Sequence, residues 1–479
     1  MQFKYKTKPY PHQEDALQSS YDKKNYAYFM EMGCGKSKVL IDNMYWLWQQ
    51  KEIDTAIIIA PKGVYMNWKN SEIPIHLNED IDPNIYIWKA EGSQAHKKNL
   101  VDGIFNRKKF RILLINVESF ATKKALVFLE SFTHRSEFML AIDESTTIKN
   151  VKAKRTKAIM KFGETAKYKR ILTGSPITQS PLDLYAQCAF LSKRLLGYDS
   201  YWSFQGRFAI IKQQRMGSVS FNQVVGFKNL EELTQKLKIF SHRTTKKEAL
   251  GLPPKIYTTR QVDLTSTQKQ QYKSMKETSA VFFEDGGMVT APEVMTRLLR
   301  LQQLLCGYLV TDDGETIELA NNRIKVMMEV IEEMDGKVII WSRFRHDIKK
   351  IKNELCKIYG SGSVVTYYGD TSQEDRDSAI LRIQNDPKTR FFVSNPQTGG
   401  RGITLTAATN VIYYSNDFNL ESRKQSEDRC HRIGQDESVL YVDLVCPNTV
   451  DVHIVKSLLQ KDKIAGKTLG EEVLEWLTV

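Results

Sequence analysis

Long apolar runs are missing from this 479-residue chain. None reaches the ~18 residues a membrane helix needs, and Met1-Gln2-Phe3-Lys4-Tyr5-Lys6 lacks the apolar stretch of a signal peptide, so no membrane role is expected. Cysteine is sparse: Cys34, Cys188, Cys306, Cys356, Cys430 and Cys446 stand far apart, with no Cys-x-x-Cys pair. That scatter argues against a disulfide framework or zinc site and makes a reducing intracellular compartment the default. Short-period repeats and low-complexity tracts are absent as well. What remains is an ordinary globular composition, 41% apolar and 26% charged. The length suggests roughly two to three domains. Acidic residues fall short of basic ones, leaving a net charge of +13. That balance favours a polyanionic partner, nucleic acid first, over a merely solvated lysine-rich surface.

Short β-rich runs at Tyr26–Met30, Thr55–Pro61, Arg111–Val117, Phe138–Asp143 and Arg170–Thr173 alternate with helical stretches. Apolar runs of this length, ended by Gly, Pro or an acid, predict buried parallel strands with helical crossovers. The rhythm is lost from about Leu195 to Lys255, read as an aromatic, basic arm with a helix around Asn229–Phe240. Thr265 to Leu309 has helical apolar spacing and predicts a bridge. Alternation then resumes at Lys337–Trp341, Ser363–Tyr368, Arg390–Ser394, Asn410–Tyr414 and Ser438–Val445. The expected fold is α/β, with two tandem parallel sheets and a helical arm or bridge between them.

Three peptides carry chemistry. Gly33-Cys34-Gly35-Lys36-Ser37 follows the strand Tyr26–Met30 and opens a helix. Its glycines let backbone amides turn toward phosphate oxygens at the positive helix end, Lys36 would reach the β- and γ-phosphates, and Ser37 would ligate Mg²⁺. The strict pattern wants a glycine where Met30 stands. Asp143-Glu144 ends an apolar strand, so Asp143 would hold Mg²⁺ and Glu144 would orient and deprotonate water; a helix-capping pair is the alternative. Arg429 and Arg432 stand three residues apart in Gln425 through Gln435. If helical, they point one way and offset charge on a transferring phosphoryl group; the alternative is a solvated basic face.

In order, these and neighbouring motifs resemble the superfamily 2 helicases, and among them the Swi/Snf-related DNA translocases. Tyr10-Pro11-His12-Gln13 is similar to the family's adenine-reading glutamine motif, and Glu31 through Ser37 to its phosphate loop. Ile59-Ala60-Pro61-Lys62 with Asn67-Trp68 resembles a motif used near the DNA backbone. Asp143-Glu144-Ser145-Thr146 resembles the acidic box, with Ser-Thr where Ala-His or Gly-His is usual. Thr173-Gly174-Ser175 resembles the coupling motif, and His242 through Lys247 with Leu252-Pro253-Pro254-Lys255 the basic segment between lobes. Gly399 through Thr406 and Gln425 through Gln435 resemble the last two motifs; Arg401 and Thr404 depart from the usual residues.

The resemblance implies RecA-like lobes at 1–194 (ATP-binding) and 321–460, a helical insertion and bridge at 195–320, and a brace helix at 461–479. It implies ATP and Mg²⁺ as cofactors. Gln13, Gly33, Cys34, Gly35, Lys36, Ser37 and Gly402 would bind nucleotide; Thr173, Gly174, Ser175 and Gln425 would couple hydrolysis to movement. The implied activity is ATP-driven tracking along double-stranded DNA, held mainly by its phosphate backbone, with remodelling of protein–DNA complexes or branched DNA as its use. Lys62, Lys69, Trp68, Arg243, Lys246, Lys247 and Thr404 are candidate contacts. Trp202 and Phe204 are candidates for base stacking or, more simply, arm packing. A strand-separating DNA or RNA helicase and a non-catalytic nucleic-acid scaffold are the alternatives. The compact core suits the cytoplasm of a bacterial or phage-infected cell, or the nucleus in a eukaryote. No motif names a protein partner.

Overall fold

The structure, a computed structural model, describes residues 3–61, 65–216, 219–284, 291–311, 313–400 and 403–471. The chain forms two compact units. The first holds Met1–Ile211, Val224–Gly251 and Ile464–Glu472; the second holds Lys212–Gln223 and Leu252–Lys463.

In the first unit the strands are β1 (Asn25–Met30), β2 (Thr55–Ala60), β3 (Asn84–Ile87), β4 (Arg111–Asn116), β5 (Phe138–Asp143) and β6 (Tyr168–Leu172). The chain then forms a two-stranded ribbon, β7 (Ala209–Met216) and β8 (Val219–Phe227), whose Lys212–Gln223 part belongs to the second unit, before β9 (Ser241–Thr244) of the first. The seven-stranded sheet runs β3-β4-β2-β5-β6-β1-β9, and every neighbouring pair is parallel. Its faces read directly from alternation. Ala56 and Ile58 of β2 join one apolar core while Ile57 and Ile59 join the other, so the sheet is buried on both sides.

The second unit repeats the plan with β10 (Lys255–Gln261), β11 (Tyr308–Val310), β12 (Thr316–Glu318), β13 (Lys337–Trp341), β14 (Val364–Tyr367), β15 (Phe391–Ser394), β16 (Ala408–Tyr413) and β17 (Val439–Val445). Six of these make the parallel sheet β10-β17-β16-β13-β15-β14. Helices Ser266–Glu284 and Ala291–Leu305 supply the expected helical stretch. The chain is thus α/β with two RecA-like lobes.

The ten central strands lie where the apolar runs put them. β3, β9, β10, β11, β12 and the ribbon do not appear in the sequence reading, and β11 begins inside the stretch expected to be helical. β9 is Ser-His-Arg-Thr, with no apolar alternation; it is a strand because β1 offers it an open edge, with Phe29 opposite Arg243. β10 joins β17 at the edge of the second sheet, so Lys255–Gln261 is a strand of that sheet within the 195–320 stretch expected to be a helical insertion and bridge.

Two buried ionisable groups in the second core are held differently. Arg323, fully buried, donates to the Leu444 carbonyl at 3.2 Å and pairs with Asp451. Asp347 is also fully buried, with Ser342 Oγ donating to it at 3.0 Å. Burial pushes the Asp347 carboxyl up to about 7, although Ser342, the Cys306 thiol, Arg323 and Lys350 all favour its charged form. A folded pKa above the unfolded one stabilises the fold below the unfolded value, and that contribution is lost as pH rises through the folded value. The melting temperature is therefore expected to fall between pH 5 and pH 8, by an amount on the order of a few kcal/mol in stability. Asp347→Asn should flatten that dependence in a thermal-melt series; an unchanged slope would place its origin elsewhere.

Candidate active site

Because the first sheet is parallel, its carboxyl ends share one edge, where open α/β sheets bind ligands. β5, β6 and β1 are consecutive there. Asp143-Glu144, Thr173-Gly174-Ser175 and Glu31 through Ser37 follow those three strands, so topology alone brings the three motifs together.

Gly33 and Gly35 adopt φ of 85° and 82°, left-handed conformations that cost glycine little. Gly35 is constrained twice, since a Cβ there would lie 2.2 Å from Gln13 Nε2. Gln13 accepts from its own helix start at Tyr10 N (3.1 Å) and donates to Cys34 O (3.3 Å), and a His12 ring nitrogen lies 2.9 Å from the same carbonyl. Gln13 therefore abuts the phosphate loop. Cys34 is buried, and burial pushes its thiol up to about 11. Lys36 and Ser37 stand in the first turn of helix Lys36–Gln49, and Lys36 Nζ donates back to Glu31 O at 3.3 Å.

Asp143 is 8% exposed, with Trp68 Nε1 donating to Oδ2 at 2.9 Å and the Glu144 amide to Oδ1 at 3.1 Å. Burial raises its pKa, opposed by the Trp68 hydrogen bond and the nearby Lys36 charge. Glu144 sits at φ 51°, ψ 62°, an uncommon conformation for a residue with a Cβ and one that gathers at functional turns. Its Oε2 accepts from Thr173 Oγ1 at 3.3 Å, and Thr173 Oγ1 accepts from Ser175 N at 3.2 Å. A Cβ on Gly174 would come 3.0 Å from Met32 N, so the coupling motif also lies against the phosphate loop. The acidic box's Ser145 turns inward, donating to Gln187 Oε1 at 2.7 Å.

Among the described residues no cluster of three or more His, Cys, Asp or Glu is gathered for a metal. Mg²⁺ seldom uses such a cage; it takes one or two carboxylates, waters and substrate phosphates. Ser37 and the buried Asp143 are a donor set of that kind.

In the second unit, helix Leu420–Glu427 ends before both arginines, so they do not share a helical face as expected. Both instead reach the segment after β15. Arg429, 3% exposed, donates through Nε to Gln425 O (2.9 Å) and through Nη1 to Ile403 O (3.1 Å). Arg432, half-buried, donates to Thr404 Oγ1 at 2.9 Å. The buried arginine fastens backbone, and the partly open one is the group available to a ligand. Gln425 Nε2 donates to Glu421 at 3.2 Å, and Gln435 Nε2 staples the loop through the Thr406 and Ala408 carbonyls.

Several nucleic-acid candidates have other partners. Trp68 is fully buried against Asp143, placed by a π-helical turn at Trp68–Glu72, and has no face for DNA. Arg243 donates to Phe29 O (2.9 Å) and Gly174 O (3.1 Å), and Lys246 is 3% exposed. Phe204 is fully buried among Tyr185, Tyr198 and Phe208, whereas Trp202 is 66% exposed beside the Lys152 ammonium. Lys69 and Lys247 are exposed; Lys62, Arg401 and Gly402 lie outside the described residues, as does the C-terminal segment from 472.

Sequence reasoning missed a buried network on helix Leu420–Glu427. Arg423 makes a bidentate pair with Asp443 (2.6 and 3.0 Å) and binds Glu427 (2.7 Å), which also accepts from Lys255 (2.9 Å) and Tyr257 (2.8 Å). Burial penalises the Glu427 charge, but Lys255 and Arg423 outweigh it and hold the carboxyl below its usual range. The only available signal was Arg423 and Glu427 four residues apart.

The contact between Trp68 and Asp143 is directly testable. Trp68→Phe leaves a buried carboxylate short of a donor and is expected to cost about 1–3 kcal/mol in denaturant unfolding. Trp202→Phe, at an exposed ring, should stay within about 0.5 kcal/mol. Equal effects would deny the buried indole N–H its role.

Comparison with known proteins agrees with this layout. The SNF2-related domain matches residues 17–308, and the helicase conserved C-terminal domain matches residues 322–434. An uncharacterized ATP-dependent helicase of Mycoplasma genitalium is 26% identical over 448 residues, 92% of this chain and 40% of the relative. The ISWI chromatin-remodeling complex ATPase CHR17 of Arabidopsis thaliana is 24% identical over 449 residues, 90% of this chain and 39% of the relative. The solved Sulfolobus solfataricus SWI2/SNF2 ATPase core in complex with dsDNA is 25% identical, with 98% of this chain and 96% of that chain covered and a TM-score of 0.44. The chain thus spans about two fifths of the length of these curated relatives. It belongs to the SNF2-related family, joined to a helicase C-terminal domain.

Proposed function

We propose that the protein is an ATP-hydrolysing motor that translocates on double-stranded DNA through its phosphate backbone, acting inside the cell. The observation that carries this reading is the contact chain at one sheet edge: Thr173 bonds Glu144, and Gly174 packs on the loop residue Met32. A group that touches both the water-activating carboxylate and the phosphate loop is suited to relay hydrolysis into movement.

In this reading the loop amides and Lys36 take the phosphates, Lys36 leaving Glu31 O for the β- and γ-oxygens. Gln13 fixes the adenine end of the same loop. Ser37 and Asp143 would hold Mg²⁺, which neutralises phosphate charge when bound. Glu144 orients and deprotonates the attacking water. Arg432 offsets charge on the transferring group, while Arg429 holds the segment that presents it. The family relatives that support a DNA track include a DNA annealing helicase and endonuclease of Bos taurus, ZRANB3, 25% identical over 447 residues.

Steady-state hydrolysis with no nucleic acid, single-stranded DNA, duplex DNA and duplex RNA tests the reading. Strong stimulation by duplex DNA, followed by displacement of a triplex strand, is the expected result; absence of turnover would leave a scaffold. Lys36→Ala and Glu144→Gln should abolish turnover with DNA binding largely kept. Arg432→Ala should lower kcat by about 10³-fold or more with little change in ATP affinity.

A strand-separating helicase is the second reading, and the ribbon β7–β8 favours it. From Asp199 to Glu231 no acidic residue intervenes, whereas Arg207, Lys212, Arg215 and Lys228 are cationic. Ile210, Ile211, Phe221 and Val225 are each at least 40% exposed on that ribbon. An exposed apolar and basic ribbon has the chemistry of a wedge between strands. If it acts so, the wild type opens a forked duplex, and the double change Lys212→Ala with Arg215→Ala abolishes opening while sparing duplex-stimulated hydrolysis. No opening by the wild type would leave translocation alone.

A further inference from the structure

We propose that Glu471, at the end of the C-terminal helix, is a positioning residue for the phosphate loop, acting through Arg243. The inference rests on the ATP-site reading for its consequence, though not for its geometry.

Arg243 is a junction. It lies on β9 opposite Phe29 of β1, and its Nη1 donates to Phe29 O (2.9 Å) and Gly174 O (3.1 Å). One guanidinium nitrogen thereby ties the strand leading into the phosphate loop to the coupling motif. Its other nitrogens face two carboxylates: Nε donates to Glu471 Oε1 at 2.6 Å, and Nη2 lies 3.6 Å from Glu31 Oε1. Glu31 is the first loop residue. Its Oε2 accepts from Lys246 N at 2.7 Å, and its carbonyl accepts from Lys36 Nζ at 3.3 Å. A movement of Arg243 is thus passed to the residue on which Lys36 rests.

Glu471 is delivered to this junction by a specific stop. Helix Val450–Leu469 ends at Gly470, whose φ of 75° reverses the chain, and Glu471 N donates to Gly466 O at 2.9 Å. Thr234 Oγ1 donates to Thr468 O at 2.7 Å, and a Cβ on Gly470 would come 3.2 Å from the Thr234 methyl. The last turn is therefore seated on helix Leu230–Lys238. Side-chain exposures of 18% for Arg243 and 21% for Glu471 take the pair out of the fully solvated class, whose ion pairs contribute little.

With Glu471 gone, Arg243 has lost its nearer carboxylate and keeps Glu31, 3.6 Å away, as an ion-pair partner. The guanidinium then shifts toward the loop and weakens its hold on Gly174 O. Small misplacements at a phosphoryl-transfer site act on kcat more than on binding.

The experiment compares the full chain with Glu471→Ala, Glu471→Gln, Glu471→Asp and, as a control on the same turn, Lys467→Ala. It reads kcat and KM for ATP with duplex DNA, the melting temperature, and amide hydrogen exchange without nucleotide at Met32–Ser37 and Thr173–Ser175. For Glu471→Ala we expect kcat to fall about five- to tenfold, KM to stay within about twofold, and exchange at both segments to quicken. Glu471→Asp, which keeps the charge, should recover part of the loss, with Glu471→Gln between them and Lys467→Ala unchanged. A lowered melting temperature with kcat and loop exchange unaltered would overturn the proposal and leave Glu471 a brace only. If the wild type hydrolyses no ATP, the motor reading fails by itself; faster exchange in Glu471→Ala would still uphold the link, and unaltered exchange would refute it.

Discussion

A carboxylate buried at the end of a parallel strand is the constraint on which the rest of the first unit depends. Asp143 is costly to bury charged, and burial raises its pKa. The fold meets that cost with the Trp68 indole, the Glu144 amide and the Lys36 charge. Each of those groups must come from a different place: a π-helical turn after β2, the left-handed residue after β5, and the helix after β1. Holding one charge therefore fixes three loops.

The second unit solves a related problem by pairing charges. Arg423 and Lys255 surround Glu427, and Asp443 completes the set from β17. Removing one member of such a buried group is costly because it strands the others. This network anchors helix Leu420–Glu427 so that the following turns, no longer helical, carry Arg429 and Arg432 toward Ile403 and Thr404. The two arginines thus divide into one that builds the loop and one left open. Arg243 plays the comparable structural part in the first unit.

Long, apolar, periodic segments were legible in the sequence. Every central strand of both sheets was, because a strand buried on both faces must be a run of apolar residues. The turn after β1 was legible too, since its backbone reversal needs Gly33 and Gly35, and so was the strand that ends at Asp143. Polar edge strands were not legible. β9 has no pattern of its own and exists because β1 presents unpaired backbone groups.

Residue type, spacing and order along the chain were enough to set the α/β class, the two sheets and the candidate catalytic residues. Only tertiary structure decided which polar side chains face inward. Trp68, Arg243 and Lys246 read as surface contacts because tryptophan, arginine and lysine in a basic chain carry no mark of burial. Whether such a group meets DNA or a carboxylate depends on partners far away in sequence: Trp68 on Asp143, Arg243 on Glu471. Local pattern cannot hold that information, because the stabilising partner of a buried polar group is chosen by packing and not by neighbourhood along the chain.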